Sequence, residues 1–269
     1  MPLFYLALLA VVQGITEFLP VSSSAHLILL PRLTGYADQG LLMDVAVHIG
    51  TLFAVVLYFR KDVFGVLKAC TINWNDSQDI SQRNRRLGGY VVLASIPVIL
   101  AGALMHFIVP DGIRSVQVII VTTVVFGLLL GFADIKGTRQ YELKSLSVKT
   151  ALIIGLAQML ALIPGTSRSG ITMTAALLLG FTRTEAARFS LLLGIPAIGG
   201  AGALGVWDLY QTGNLILGLD ALIAAFFAFV FAYIAIKLMM RWLSFSGFMP
   251  FVIYRLLLGA GLLFFLMAG

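Results

Sequence analysis

Two polar stretches interrupt an otherwise apolar chain. In PGTSRSGIT, residues 164–172, Arg168 sits among the hydroxyls of Thr166, Ser167, Ser169 and Thr172, while Pro164 ends a helix and Gly165 and Gly170 permit tight turns. A helix starting near Gly170 aims its free N–H groups and positive dipole end at the same place. A fixed guanidinium beside such an end is a receptor for a phosphate-like dianion, because Arg binds two oxygens at once. The alternative is an arginine that caps a neighbouring helix or pairs with Glu17; an unpaired charge at membrane depth costs at least about 2.5–3.5 kcal/mol.

The second stretch is EFLPVSSSAHL, residues 17–27. Gln13 and Glu17 are four apart on the helix before the break and project from one face. Their oxygens suit a hydrated Mg²⁺ or Ca²⁺ that bridges to phosphate oxygens, or Glu17 forms a buried ion pair with Arg168 or Arg255. Ser22, Ser23 and Ser24 cap the next short helix, and His26 follows Ser23 by three, a spacing that lets an imidazole approach a serine hydroxyl for nucleophile activation or leaving-group protonation. Plain N-capping is the competing use of the serines. Further along, Asp44 and His48 share a helix face, as an outer support for a site, a proton path or a satisfied core pair. Arg255, alone in PFVIYRLLLG, is expected to point at the site. His106 lies near an aqueous boundary, and GIPAIGGAGALG, residues 194–205, reads as close helix packing.

Such residues need elements to hold them in place. Of the 269 residues, 60% are hydrophobic and 11% charged, and the mean hydropathy is +1.01, whereas a soluble domain has about 25% charged residues. The chain therefore reads as an all-α, polytopic membrane protein, a single integral membrane domain over residues 1–269. Six stretches read as spans: 41–59, 87–108, 115–135, 186–206, 214–237 and 249–268. Residues 2–33 and 150–180 are each broken by proline and small polar residues at membrane depth, and read as re-entrant helix pairs. The start, MPLFYLALLAVV, lacks the basic region of a signal peptide. The single cysteine, Cys70, excludes an intramolecular disulfide and a cysteine-built metal cluster. The net charge of +6 points to anionic headgroups and membrane orientation rather than nucleic acid.

With two re-entrant pairs, fourteen of the eighteen basic residues fall on one side, from Arg60 and Lys61 through Arg83, Lys136 and Arg183 to Arg241. Arg32 and Arg114 fall on the other, and Arg168 and Arg255 lie within apolar sequence. Sliding the chain on itself by 144 residues places Pro20 on Pro164, Ser23 on Ser167 and Gly50 on Gly194. The units, roughly 1–135 and 145–269, would enter from opposite sides as an inverted-topology repeat. Their two breaks would then meet and make one polar site.

These residues resemble a known family. QGITEFLPVSSSAHL resembles the (Glu/Gln)-x-x-x-Glu region of the undecaprenyl-diphosphatase family, also called bacitracin-resistance proteins. PGTSRSGIT resembles its Pro-Gly-x-Ser-Arg-Ser-x-x-Thr signature, and MPFVIYR agrees with a third motif near the end. The resemblance covers essentially the whole chain. It implies hydrolysis of undecaprenyl diphosphate to undecaprenyl phosphate and inorganic phosphate, recycling the lipid carrier for cell-wall synthesis at the outer side of a bacterial inner membrane. Carried over, Gln13 and Glu17 are the metal-associated pair, Ser23 the nucleophile and His26 an acid, base or nucleophile, while Ser167, Arg168, Ser169 and Thr172 cradle the diphosphate. Gln13 stands where many relatives have glutamate. Direct attack by water, assisted by Glu17 or His26, remains the second mechanism. The rival function is a secondary transporter or flippase of a polyprenyl phosphate lipid, which shares broken helices and inverted repeats but needs no nucleophile. The oligomeric state, a homodimer included, is open.

Overall fold

The computed structural model describes residues 3–37, 39–70, 78–108, 115–211 and 218–268. Among them the order is α1 (Leu3–Thr16), α2 (Ser23–Thr34), α3 (Gly40–Tyr58), α4 (Arg60–Cys70), α5 (Gln78–Ile108), α6 (Val116–Lys136), α7 (Val148–Gln158), α8 (Arg168–Leu178), α9 (Arg183–Gln211), α10 (Leu219–Leu243) and α11 (Met249–Ala268). Six of these helices, α3, α5, α6, α9, α10 and α11, are long and apolar enough to cross a bilayer, as the sequence predicts. Arg114 and residues 214–217 lie outside the described residues, as does the side chain of Arg32.

The boundaries differ where polar sequence continues a helix. α5 begins nine residues before the expected start because QDISQRNRR, although polar, contains no breaker. α9 extends at both ends and runs through Pro196. The amphipathic α4 adds to the expected elements: Phe64 and Leu67 are exposed on it, and it carries Arg60, Lys61 and Lys68.

Close helix approach rests on small residues. Ala221, Ala224, Ala228, Ala232 and Ala235 form a fully or nearly buried stripe along α10, and backbones can pack directly where no larger side chain intervenes. Gly14 of α1 and Gly50 of α3 face this helix so tightly that an added Cβ would lie 2.8 Å from the Ala228 carbonyl oxygen and 2.1 Å from that of Ala225. The glycine-rich run on α9 behaves differently. Gly194 and Gly205 are closely packed, but a Cβ at Gly199 or Gly202 would meet nothing within 4 Å and one at Gly200 only Ile99 Cγ1 at 3.9 Å. The close-packing expectation therefore fails for the middle of that run.

At one end of the bundle the basic segments are tied together. Arg188 of α9 binds Asp62 of α4 through two donors, at 2.5 and 3.2 Å. Arg183 donates to the buried Asp134 at the end of α6 at 2.5 Å, and the same carboxylate accepts from the Phe248 amide before α11. Tyr141, ahead of α7, pairs with the backbone around Gly180 and Thr182 after α8. At the opposite end, Tyr5 near the start of α1 contacts Tyr36 and donates to Gln39, both beyond α2.

Candidate active site

Both breaks are built on serines with left-handed backbone. Ser22 (φ 74°) precedes α2 and Ser167 (φ 71°) precedes α8. Non-glycine residues seldom adopt this conformation, which carries strain of order 1–3 kcal/mol and clusters at functional sites. Ser167 Oγ accepts from the Gly170 amide at 3.1 Å, an N-cap.

A break in an apolar setting must satisfy its freed carbonyls. Arg255 does most of this. It is fully buried on α11 and donates five hydrogen bonds, at 2.8–3.3 Å, to the carbonyls of Pro20, Gly165, Thr166, Thr122 and Thr123. The Thr122 hydroxyl takes the Pro164 carbonyl at 2.6 Å, and the Ser169 hydroxyl takes the Leu19 carbonyl at 3.0 Å. The two bends are thereby pinned to each other. The expectation that Arg255 binds substrate needs correction, since all five of its N–H groups are directed at backbone.

Arg168 contrasts with it. Among the described residues its guanidinium has two protein acceptors, the Ser190 carbonyl at 3.1 Å and Glu17 Oε1 at 3.5 Å, and it lies 5.9 Å from the Phe18 ring centre. Arg168 also lines a cavity of about 240 Å³. Glu17, Ser22, Ser23 and Ser24 from the first break, His48 from α3, and Ser167 and Arg168 from the second line its polar side; Val98, Leu162, Ala197 and Ala201 are on its apolar side.

Glu17 is the hub. Its Oε2 accepts from the Ser23 hydroxyl at 2.6 Å and from Gln13 Nε2 at 2.9 Å, and lies 3.8 Å from His48 Nε2. A carboxylate this close to a serine hydroxyl is placed to take its proton. His26 does not share this role. Its Nδ1 contacts the Ser22 carbonyl at 2.7 Å and must be the donor there; Nε2, 2.6 Å from the Tyr254 hydroxyl, then accepts. The predicted Ser23–His26 pairing is therefore corrected, because Nδ1 is held at the N-cap of α2 and Nε2 joins α2 to α11. Asp44 supports His48 through its backbone, its carbonyl accepting from Nδ1 at 2.6 Å.

Of the predicted anion-cradling residues, Ser167 and Arg168 reach the cavity. Thr166, Ser169 and Thr172 are buried behind it: Thr172 shares a hydrogen bond with Ser190 at 2.6 Å, and the Thr166 hydroxyl has no hydrogen-bond partner among the described residues. Gly165 (φ 88°) has Thr122 Oγ1 where a Cβ would stand, at 2.2 Å, and Gly170 faces Arg255. Sequence reasoning leaves His48 open between an outer support, a proton path and a core pair, and misses the Glu17–Ser23 contact. The signal is present in an i, i+4 polar pair on an apolar helix, but a contact across a bend cannot be read from helical spacing.

Among the described residues no group of three or more His, Cys, Asp or Glu side chains can hold a metal. Gln13 is fully buried and its Oε1 has no hydrogen-bond partner among the described residues. One carboxylate backed by one amide fits a hydrated divalent ion shared with substrate phosphates better than an ion caged by protein.

A family model described as bacitracin resistance protein BacA matches residues 6–261. The chain belongs to that family. Proteins named undecaprenyl-diphosphatase resemble it along their whole length. The one from Alteromonas mediterranea is 48% identical over 268 residues, covering 100% of both chains. Those from Ruegeria pomeroyi and Saccharophagus degradans are 51% and 50% identical, covering 98% and 97% of each chain. The bacitracin-resistance family match spans both breaks, so the serine-rich bend and the arginine-bearing bend belong to one family unit.

Proposed function

We propose that this protein hydrolyses undecaprenyl diphosphate to undecaprenyl phosphate and inorganic phosphate, recycling a lipid carrier for cell-wall synthesis. The observation that carries the reading is Ser23 hydrogen-bonded to Glu17 in the same cavity as Arg168. Ser23 Oγ gives its proton to Glu17 and attacks the terminal phosphorus. The bridging P–O bond breaks, and undecaprenyl phosphate leaves with the electron pair. Water then attacks the phosphoserine, releasing inorganic phosphate and restoring Ser23. Because a phosphate monoester departs as an anion, it needs no protonation, which agrees with a His26 occupied elsewhere. Arg168 holds the non-bridging oxygens through in-line displacement. A divalent cation held by Glu17, with Gln13 behind it, would neutralise further phosphate charge.

The membrane geometry belongs to the same proposal. α1–α2 and α7–α8 are re-entrant pairs, a reading supported by the contacts that bring each pair's entry and exit together. They form an inverted repeat, supported by the shared left-handed Ser22 and Ser167 and the fully buried Gln13 and Gln158. Both equivalences run at 145 residues, one more than the ungapped sequence match. With the basic end in the cytoplasm of a bacterial inner membrane, the cavity opens toward the outer side.

The test is phosphate release from undecaprenyl diphosphate by the purified protein in detergent, with and without EDTA. Release that EDTA suppresses and added Mg²⁺ or Ca²⁺ restores is expected. Movement of the lipid across liposomes without phosphate release would favour the transporter.

A further inference from the structure

Where the basic segments meet, a polar pocket of about 150 Å³ opens between α4, α5, α9 and the segment ahead of α7. Arg83, Arg86, Lys144 and Arg188 line it, with Asp62 and Asp79 as the opposing charges. Arg188 and Asp62 are spent on each other, and Lys144 lies 3.0 Å from Glu142. Arg83 and Arg86, three apart on one face of α5, are both exposed, and neither has a hydrogen-bond or ion-pair partner among the described residues. Beside this pocket, sharing Asp62 and Leu87 with it, an apolar groove of about 220 Å³ runs between α4, α5 and α9. Val63, Val66 and Leu67 of α4, Val91 and Val92 of α5 and Leu192 of α9 line it. Leu67 and Val92 are 57% and 61% exposed, so the groove lies open along its side. From Leu87 to Val92 its wall runs about 8 Å, well short of the roughly 15 Å hydrocarbon depth of one leaflet. Neither the pocket nor the groove shares a lining residue with the catalytic cavity.

We propose that pocket and groove together bind an anionic glycerophospholipid of the leaflet at the basic end, its phosphate between Arg83 and Arg86 and one acyl chain in the groove. This site goes beyond the phosphatase reading and does not depend on it. Three features select such a lipid. The first is depth: along α5 the polar run QDISQRNRR gives way to apolar sequence at Leu87, which puts the two arginines at headgroup level and the groove in hydrocarbon. At the same level α4 has the character of an interfacial helix, with Phe64 and Leu67 exposed among Arg60, Lys61 and Lys68. The second is charge, because guanidinium groups not engaged elsewhere bind phosphate oxygens, and basic pockets between helices at a membrane surface take anionic headgroups. Asp79, at the rim of the same pocket, suits the hydroxyl donors of a glycerol headgroup. The third is continuity. Free phosphate would leave the groove unused, and a soluble protein would have to enter lipid to reach Val92, whereas an amphiphile fills both.

Native mass spectrometry of the purified protein compares retention of dioleoyl phosphatidylglycerol with that of dioleoyl phosphatidylethanolamine, which has the same chains and no net charge. The wild-type protein should prefer phosphatidylglycerol roughly tenfold or more, the scale of two basic contacts, and Arg83→Ala/Arg86→Ala should lose that preference. Lys237→Ala/Arg241→Ala, which removes the same charge from exposed positions on α10, should keep it within about twofold, as should Arg168→Ala. Equal retention of the two lipids by the wild-type protein, or an equal loss in the α10 variant, would overturn the proposal in favour of diffuse attraction. Loss in Arg168→Ala would overturn it by placing the lipid in the catalytic cavity. A phosphatidylglycerol carrying a diazirine early in its acyl chain supplies the second measurement. Its cross-links should fall on the peptides bearing Leu67, Val92 and Leu192, and should yield to unlabelled phosphatidylglycerol but not to inorganic phosphate. Even labelling of all lipid-facing helices, or displacement by inorganic phosphate, contradicts the proposal. Neither measurement reads phosphate release, so failure of the phosphatase reading shows separately.

Discussion

Two arginines at membrane depth divide the work by where their donors point. Arg255 gives all five N–H groups to carbonyls of the bends and of α6, whereas Arg168 makes hydrogen bonds to Ser190 and Glu17 and lines the cavity. The sequence singles out both positions, but which of them meets substrate depends on contacts 89–235 residues apart in the chain, beyond the reach of local spacing. The same holds for Ser23, whose partner is Glu17 six residues back across a bend and not His26 three residues on. Arg168 is seated against Gly194, where a Cβ would stand 2.8 Å from Nη1. Gly194→Ala should therefore leave the fold intact, because only the flexible end of Arg168 must move, while lowering kcat/KM about 100-fold, the scale expected for an ångström of misplacement. Thermal unfolding and phosphate release measured on one preparation check both halves.

Among the elements, the broken pairs α1–α2 and α7–α8 are legible because proline with clustered hydroxyls inside apolar sequence interrupts a helix where lipid cannot satisfy the freed backbone. Their internal geometry is less so. The left-handed serines carry no sequence signal, since a serine before a helix reads equally as an ordinary cap. The glycine run on α9 misleads for a related reason: composition shows that side chains are absent but not whether a neighbour fills the space. Gly165 is the clearer case, with φ of 88° and Thr122 Oγ1 and the Ile119 carbonyl against its missing side chain. Gly165→Ala should destabilise the protein by about 1–3 kcal/mol or more, from backbone strain alone at the low end, and should lower the thermal unfolding midpoint. An unchanged midpoint would mean that the second bend is not held in this form.

At the scale of the whole molecule, six apolar helices pack with two shorter pairs, and basic segments converge on one end through the Arg188–Asp62 and Arg183–Asp134 pairs. Composition and the basic-residue distribution make this end recognisable without coordinates, because charge asymmetry between loops is a property of sequence alone. Cys70 is exposed at the end of α4 on that side. In intact spheroplasts it should resist a membrane-impermeant maleimide and react only after permeabilisation; labelling of intact cells would reverse the orientation. Joining the two bends into one site is the claim on which this architecture's function depends, and a double-mutant cycle tests it most directly. Phosphate release from undecaprenyl diphosphate is measured for Ser23→Ala, Arg168→Ala and the double variant. Residues that act as one unit lose activity non-additively, so each single change should lower kcat by about 1,000-fold or more and the double change little further. Losses that multiply, or a Ser23→Ala protein near wild-type activity, would contradict a shared catalytic centre.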